Sequence, residues 1–283
     1  MRCYQTSVAL ATKAAIGKTV PFAILASRDF THICDPCRAG RMKIELRNVS
    51  KFYGKTRALD GVSLEINSGQ VVALLGANGS GKTTLLRCLY GLATADKGFV
   101  LFDDHEFSRD DIPLRRRMFF IPDFPFLFWE MTALQHIGMT LKLYDVTRPE
   151  IEQNVVALLK EFDLLPLAER PLFSLSRGQA YKVALCALLA VDPELWILDE
   201  PLASGMDPHG LSSFKSHALD ATKRGRIVIY STQILDVVER FSDRVCILDE
   251  GEVKGFGAVS ELEKMKEGAR SLEQIFNSLR ENK

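Results

Sequence analysis

Net charge is absent from this chain: 36 lysines and arginines balance 36 aspartates and glutamates. Nothing in that balance recruits a nucleic acid or an acidic membrane surface, and no nucleic-acid partner is expected. No apolar run approaches the ~20 residues that a bilayer-crossing helix needs. There is no internal repeat and no low-complexity tract. Cysteine is sparse, with six residues, and only Cys34-Asp35-Pro36-Cys37 has metal or redox spacing. No second pair completes a zinc site, and the scatter suits a reducing compartment. What remains is an ordinary folded composition, 47% apolar and 25% charged over 283 residues, enough for one large domain or two small ones.

Residues 1–41 lack clear periodicity and read as an N-terminal extension, poorly ordered, either dispensable or the product of an over-long start. Gly17-Lys18-Thr19 imitates part of a phosphate loop, but Thr12 occupies the place of its first glycine. The expected domain spans 42–283, opening on "MKIELRNVSKFYG", which alternates like a strand. Further strands are expected at 62–66, 70–76, 98–102, 117–121, 195–199, 226–230 and 244–249. "QVVALLG" (70–76) is a continuous apolar run of the kind buried on both faces of a sheet. Residues from about 125 to 190 read as a helical insertion, and 260–281 as two short helices. The fold class is α/β, a mixed sheet flanked by helices, with an antiparallel β part and that insertion.

Gly76-Ala77-Asn78-Gly79-Ser80-Gly81-Lys82-Thr83 satisfies G-x-x-x-x-G-K-[ST] in full, between a strand and a helix. Glycines let backbone N–H groups turn inward around phosphate oxygens, and the helix N-terminus adds partial positive charge. Lys82 is expected to bridge the β- and γ-phosphates and Thr83, with Thr84 beside it, to offer its hydroxyl to Mg²⁺. Asp199 and Glu200 follow the apolar run "LWIL". Asp199 is placed to hold Mg²⁺ through water, and Glu200 to act as base toward an attacking water. A second anion cradle, Ser176 and Gly178, opens the apolar helix that starts at Gln179. It lies too far from Lys82 to serve the same nucleotide.

With these residues assembled, the chain from about 43 to 280 resembles the ATP-binding subunit of an ABC transporter, of the exporter-like ABC-2 type. Tyr53, with Phe52, stands where an aromatic stacks on adenine. Residues 76–83 look like Walker A, 175–179 (LSRGQ) like the signature, and "LWILDEP" like Walker B with its catalytic glutamate. The resemblance implies ATP and Mg²⁺ as ligands and a second ATP-binding domain, identical or not, packed head to tail. Ser176, Gly178 and Gln179 of one subunit would then complete the other's site. It further implies a separate transmembrane permease subunit, gripped by the helical insertion, and hence a peripheral position on the cytoplasmic face of a membrane.

Four departures qualify the resemblance. Asp123 occupies the Q-loop glutamine's place, tolerable if it ligates Mg²⁺ or swings away. Gln233 replaces the switch histidine that meets the γ-phosphate, and none of the five histidines lies near enough in sequence to substitute. From Glu200 to Asp207 the chain runs one residue longer than the family's usual stretch, implying a shifted D-loop. Arg177, at the third position of the signature, is expected to face solvent, the alternative being added charge at the partner's nucleotide. Two other classes compete: a DNA-associated structural ATPase, disfavoured because no heptads lie between Lys82 and Ser176, and an ATP-holding regulatory half with little hydrolysis.

Overall fold

A computed structural model describes residues 42–265, 272–274 and 276. Readings that concern residues 1–41, including the Cys34–Cys37 pair, lie outside the described residues, as does most of the expected second tail helix.

The chain order begins with an antiparallel hairpin, β1 (Lys43–Tyr53) and β2 (Thr56–Asn67), then β3 (Val71–Leu75) and helix α1 (Lys82–Tyr90). β4 (Lys97–Phe102), the short β5 (His105–Glu106), a one-turn α2 (Ile112–Arg115) and β6 (Met118–Ile121) follow. Three helices come before the next strand: α3 (Ala133–Leu143), α4 (Ile151–Glu161) and α5 (Arg177–Val191). The remainder is β7 (Leu195–Leu198), α6 (Pro208–Lys223), β8 (Ile227–Thr232), α7 (Leu235–Phe241), β9 (Arg244–Asp249), β10 (Glu252–Gly257) and α8 (Val259–Met265). Strands β2-β1-β4-β5 form an antiparallel sheet. The other sheet runs β10-β9-β3-β8-β7-β6, parallel except for its β10 edge.

The unbroken apolar runs follow from this layering. Val71, Ala73 and Leu75 of β3 enter the core on the side of α3–α6, whereas Val72 and Leu74 enter the core shared with α1 and the antiparallel sheet. β8 divides in the same way, with Val228 and Tyr230 on one side and Ile227 and Ile229 on the other. A strand covered on both faces has no polar alternate positions to fill. α5 is buried almost all round, from Tyr181 to Val191, and forms the centre of the helical layer. Cys88, Cys186 and Cys246 are buried free thiols, and burial pushes Cys88 up to about 11, so they pack as small apolar groups.

α1 stops where Gly91 takes a left-handed conformation (φ 75°) and its N–H turns back to Arg87 and Cys88 carbonyls. The strand expectations at 62–66 and 117–121 fall within β2 and against β6, but β2 begins six positions earlier, at Thr56, because its polar half pairs with β1 at an exposed edge. The helical pattern expected from 125 starts at Ala133, after an extended aromatic segment.

Arg117 joins the two sheets at the start of β6. Its guanidinium donates twice to Glu194, at 2.8 and 2.9 Å, and also reaches Asp103 at 2.8 Å in the β4–β5 turn. These bidentate, charge-assisted bonds are only about one-third exposed. Arg117→Ala is expected to lower stability by about 1–2 kcal/mol, read as a shift in urea midpoint with unchanged slope. Arg117→Lys should recover part of it; a midpoint unmoved by either variant would show that the bridge is solvent-screened.

Candidate nucleotide site

The phosphate loop leaves the C-terminal end of β3 and winds directly into α1. Gly76 cannot carry a side chain, because a Cβ would sit 2.4 Å from both the Leu248 carbonyl and Ser80 Oγ. Gly81 (φ 106°) is the N-cap of α1, where a Cβ would lie 2.6 Å from the Ala58 carbonyl of β2. No side chain caps α1, so its first N–H groups are left to an anion. Ser80 Oγ is buried and makes no hydrogen bond, a second polar group turned into the loop without a partner. Asn78 and Gly79 are exposed at the loop's crest.

Lys82 is buried and folds over this loop, its Nζ donating to the carbonyls of Gly76 (2.9 Å) and Ala77 (3.1 Å). The same Nζ is 3.4 Å from Glu200 Oε1. Thr83 Oγ1 donates to Asp199 Oδ2 at 2.8 Å, and Ser231 Oγ donates to Asp199 Oδ1 at 2.6 Å. Ser231 Oγ also accepts from the Glu200 N–H at 2.8 Å. Glu200 adopts a left-handed backbone (φ 47°), which costs a non-glycine residue about 1–2 kcal/mol. The bond to Ser231 holds that conformation. Burial raises the Glu200 pKa above the ordinary glutamate value, opposed by Lys82 and reinforced by Asp199 and Asp123.

β8 lies between β3 and β7, so its end separates the phosphate loop from the acidic pair. Thr232 pairs with Leu75, and its carbonyl accepts from Gly76 N–H. Gln233, the next residue, is exposed at this seam. Tyr53, 47% exposed, stands at the tip of the β1–β2 hairpin, two residues from the strand that carries Ala58 against Gly81. Thr84 lies on α1 beside Thr83. Thus Lys82, Thr83, Asp199, Glu200 and the end of β8 converge.

The signature residues gather elsewhere, at the start of α5. Ser176 caps it, its hydroxyl accepting from Gln179 N–H at 3.3 Å while Gln179 Oε1 accepts from Ser176 N–H at 2.9 Å. Gln179 is therefore engaged within its own helix, leaving the exposed Ser176 O–H as the donor that points outward. Gly178 has a reason within the chain: a Cβ there would meet the Gly205 carbonyl at 2.3 Å. The longer stretch after Glu200 is absorbed by a 3₁₀ turn at Pro201–Ala203 and by Gly205 (φ 81°). Asp207 then caps α6, accepting from Gly210 N–H at 2.8 Å and pairing with the buried Lys182 of α5.

Arg177 corrects its expectation. It does not simply face solvent: its guanidinium donates to Asp123 Oδ1 and lies 4.5 Å from the centre of the Phe124 ring. Asp123 has turned to α5. Sequence reasoning also left Ser231 without a role and passed over Tyr181, which is fully buried with an unpartnered hydroxyl. Ser231 stands in "YST" (230–232) at the end of β8, and a small hydroxyl at a strand end was the available signal.

Residues 59–203 match the ABC transporter family model. The chain belongs to the ABC transporter ATP-binding family. It is 33% identical to the ABC-type transporter ATP-binding protein EcsA of Bacillus subtilis over 80% of this chain and 92% of that protein. It is 34% identical to the SkfA peptide export ATP-binding protein SkfE of the same organism, over 74% of this chain and 87% of that one. A solved ATP-binding subunit of an ABC transporter superposes with a TM-score of 0.78 at 28% identity, covering 84% of this chain and 99% of its own. This ABC family member therefore carries the mixed sheet, antiparallel sheet and flanking helices of its relatives.

Ser231→Ala would leave the buried Asp199 with one donor fewer and the Glu200 N–H without an acceptor. The expected loss is about 1–3 kcal/mol of stability, measured by urea unfolding. Ser231→Thr, which keeps the hydroxyl, is expected to retain most of it; equal losses in both would point to packing rather than to the two hydrogen bonds.

Proposed function

We propose that this chain binds and hydrolyses ATP as the motor subunit of an export-type ABC transporter. The observation that carries the reading is Lys82, held by two loop carbonyls and by Glu200 beside the Thr83–Asp199 pair. A triphosphate entering the loop offers Lys82 a stronger partner than neutral carbonyls. As Lys82 transfers to the phosphates, Glu200 loses the cation that stabilises its charge and becomes a stronger base in a dry setting. Ser231 keeps its backbone in place throughout.

The residues fit Mg²⁺. Thr83 and Asp199 supply oxygen donors only, and such a site normally completes its shell with phosphate oxygens and water. Among the described residues there is no larger group of metal-ligating side chains, which disfavours an all-protein cage. Bound there, Mg²⁺ would neutralise charge on the phosphate oxygens. Tyr53 would offer its ring to the adenine. Gln233 would present its amide to the γ-phosphate, a neutral donor worth roughly 0.5–1.5 kcal/mol against roughly 1.5–3 for a charged one. The difference predicts hydrolysis slowed by about tenfold, not abolished, since Glu200 remains.

The outward-facing Ser176 hydroxyl and the start of α5 support a head-to-tail dimer in which they meet the partner's nucleotide. A separate surface supports a permease contact. Phe124, Phe126, Phe128 and Trp129 are 64, 73, 47 and 45% exposed, and Phe173, 64% exposed, joins them through its N–H to the Trp129 carbonyl. An aromatic patch of this kind, continuous with Asp123, suits a membrane subunit's surface. A permease held there would give the chain a peripheral position on the cytoplasmic face, and the relation to the peptide export protein SkfE supports export. Residues 42–283 would form the ATP-binding domain, with about 125–190 as its permease-facing part.

Steady-state ATP hydrolysis by the full chain tests this reading. Slow wild-type turnover, loss in Glu200→Gln and a rise of about tenfold in Gln233→His are expected. Wild type that binds ATP but turns over no faster than Glu200→Gln would instead support a regulatory half beside a more active partner. The pH profile gives a second check. A base works deprotonated, so activity should be lost as pH falls through the raised Glu200 pKa, above the ordinary value of about 4.3. An acid limb at or below that range would remove Glu200 from the role.

A further inference from the structure

Asp123 and Arg177 are 54 residues apart in sequence and both depart from the family pattern, yet they meet. Asp123 lies two residues beyond β6, whose last carbonyl, on Ile121, accepts from the Asp199 N–H at 2.9 Å. It therefore springs from the same edge of the sheet as the acidic pair. An unneutralised carboxylate at that edge adds negative charge beside a triphosphate. Arg177 meets it from the first turn of α5, and Phe124, stacked on the guanidinium, fixes the direction from which it comes.

A second observation locates the same helix face at the acidic site. Tyr181 is four residues after Arg177 and so shares its face of α5. It is completely buried with no hydrogen bond to its hydroxyl. Burial, and then the negative charges of Asp199, Asp123 and Glu200, hold its pKa well above the normal phenol value, which keeps it protonated as a donor. One face of α5 thus addresses its own subunit's acidic cluster, while Ser176 points outward from the same turn.

The Arg177–Asp123 pair is about two-fifths exposed at each side chain, so it contributes little to stability. Its effect is on where one charge sits. We propose that Arg177 is a positioning residue for its own subunit's nucleotide site: it holds the Asp123 carboxylate on the first turn of α5 and cancels its charge. A triphosphate can then bind beside Thr83 and Asp199 without meeting an additional free anion. This rests on the reading of the site as an ATP site, and it gives Arg177 a role within its own subunit.

The test is a double-mutant cycle read by calorimetric ATP binding to the full chain, with Mg²⁺ and with EDTA. It uses wild type, Arg177→Ala, Asp123→Asn, the double variant and a Lys82→Ala control. In EDTA, Arg177→Ala should weaken ATP binding roughly three- to tenfold, whereas the double variant should bind like Asp123→Asn alone. Mg²⁺ should recover most of the Arg177→Ala loss, because a released carboxylate can ligate the cation. An equal loss from Arg177→Ala in both backgrounds would overturn the proposal, leaving Arg177 as a general positive charge, and so would no loss at all. If wild type binds no ATP, or Lys82→Ala binds as wild type does, the nucleotide-site reading itself fails. Wild-type binding abolished by Lys82→Ala, with an additive cycle, fails only the positioning role.

Discussion

The carboxylate of Asp199 is the point at which the sheet becomes a site. It is 4% exposed, yet among the described residues no lysine or arginine is bonded to it; its donors are the neutral hydroxyls of Thr83 and Ser231. Its own N–H is fixed to β6. Four elements, α1, β6, β7 and β8, are thereby tied through one residue. Burying a carboxylate among neutral donors is expensive without a cation. The arrangement supports the Mg²⁺ site proposed above, whose remaining donors would come with the ligand. Lys82, the nearest cation in the loop, is turned instead to backbone carbonyls and Glu200.

Much of this was legible because it is local. A phosphate loop is a turn, and a turn is specified by the glycines that permit it: Gly76 and Gly81 are each pressed against a carbonyl where no side chain fits. The five-residue apolar β3 reads as doubly buried because both faces are covered, by α3–α6 on one side and by the antiparallel sheet and α1 on the other. The capping box at Ser176 and Gln179 is also local, within four residues, but goes unread in the sequence, where Ser176 stands as an anion-cradle residue.

What the sequence concealed is long-range and polar. Nothing in "YST" states that Ser231 will meet a carboxylate 32 residues away, because that depends on β8 lying beside β7. In the sequence Gly178 reads as part of an anion cradle; the structure adds a second constraint, the Gly205 backbone packed against it. The 3₁₀ turn after Glu200, and the contacts of Asp207 with α6 and Lys182, were not readable from the length of that stretch. The exposed start of β2 had no hydrophobic alternation to announce it, since a hairpin edge has a solvated face.

Seen from α5, these polar contacts form one pattern. Its first two turns carry Arg177 to Asp123, Gly178 to Gly205, Tyr181 toward the acidic cluster and Lys182 to Asp207. All of these lead into the same subunit, to the segments just after β6 and β7. Ser176, at the tip, is exposed and makes none of these inward contacts. In the dimer proposed above, a displacement of that tip would not stay at the tip, because the helix behind it is buried nearly all round. The movement would have to pass to Asp123 and to the turn that follows Glu200. The aromatic segment begins at Phe124, next to Asp123, so whatever grips that patch is one peptide bond from the same linkage. In this chain the two unusual charges, Asp123 and Arg177, lie between the acidic cluster, the first turn of α5 and the exposed aromatic surface.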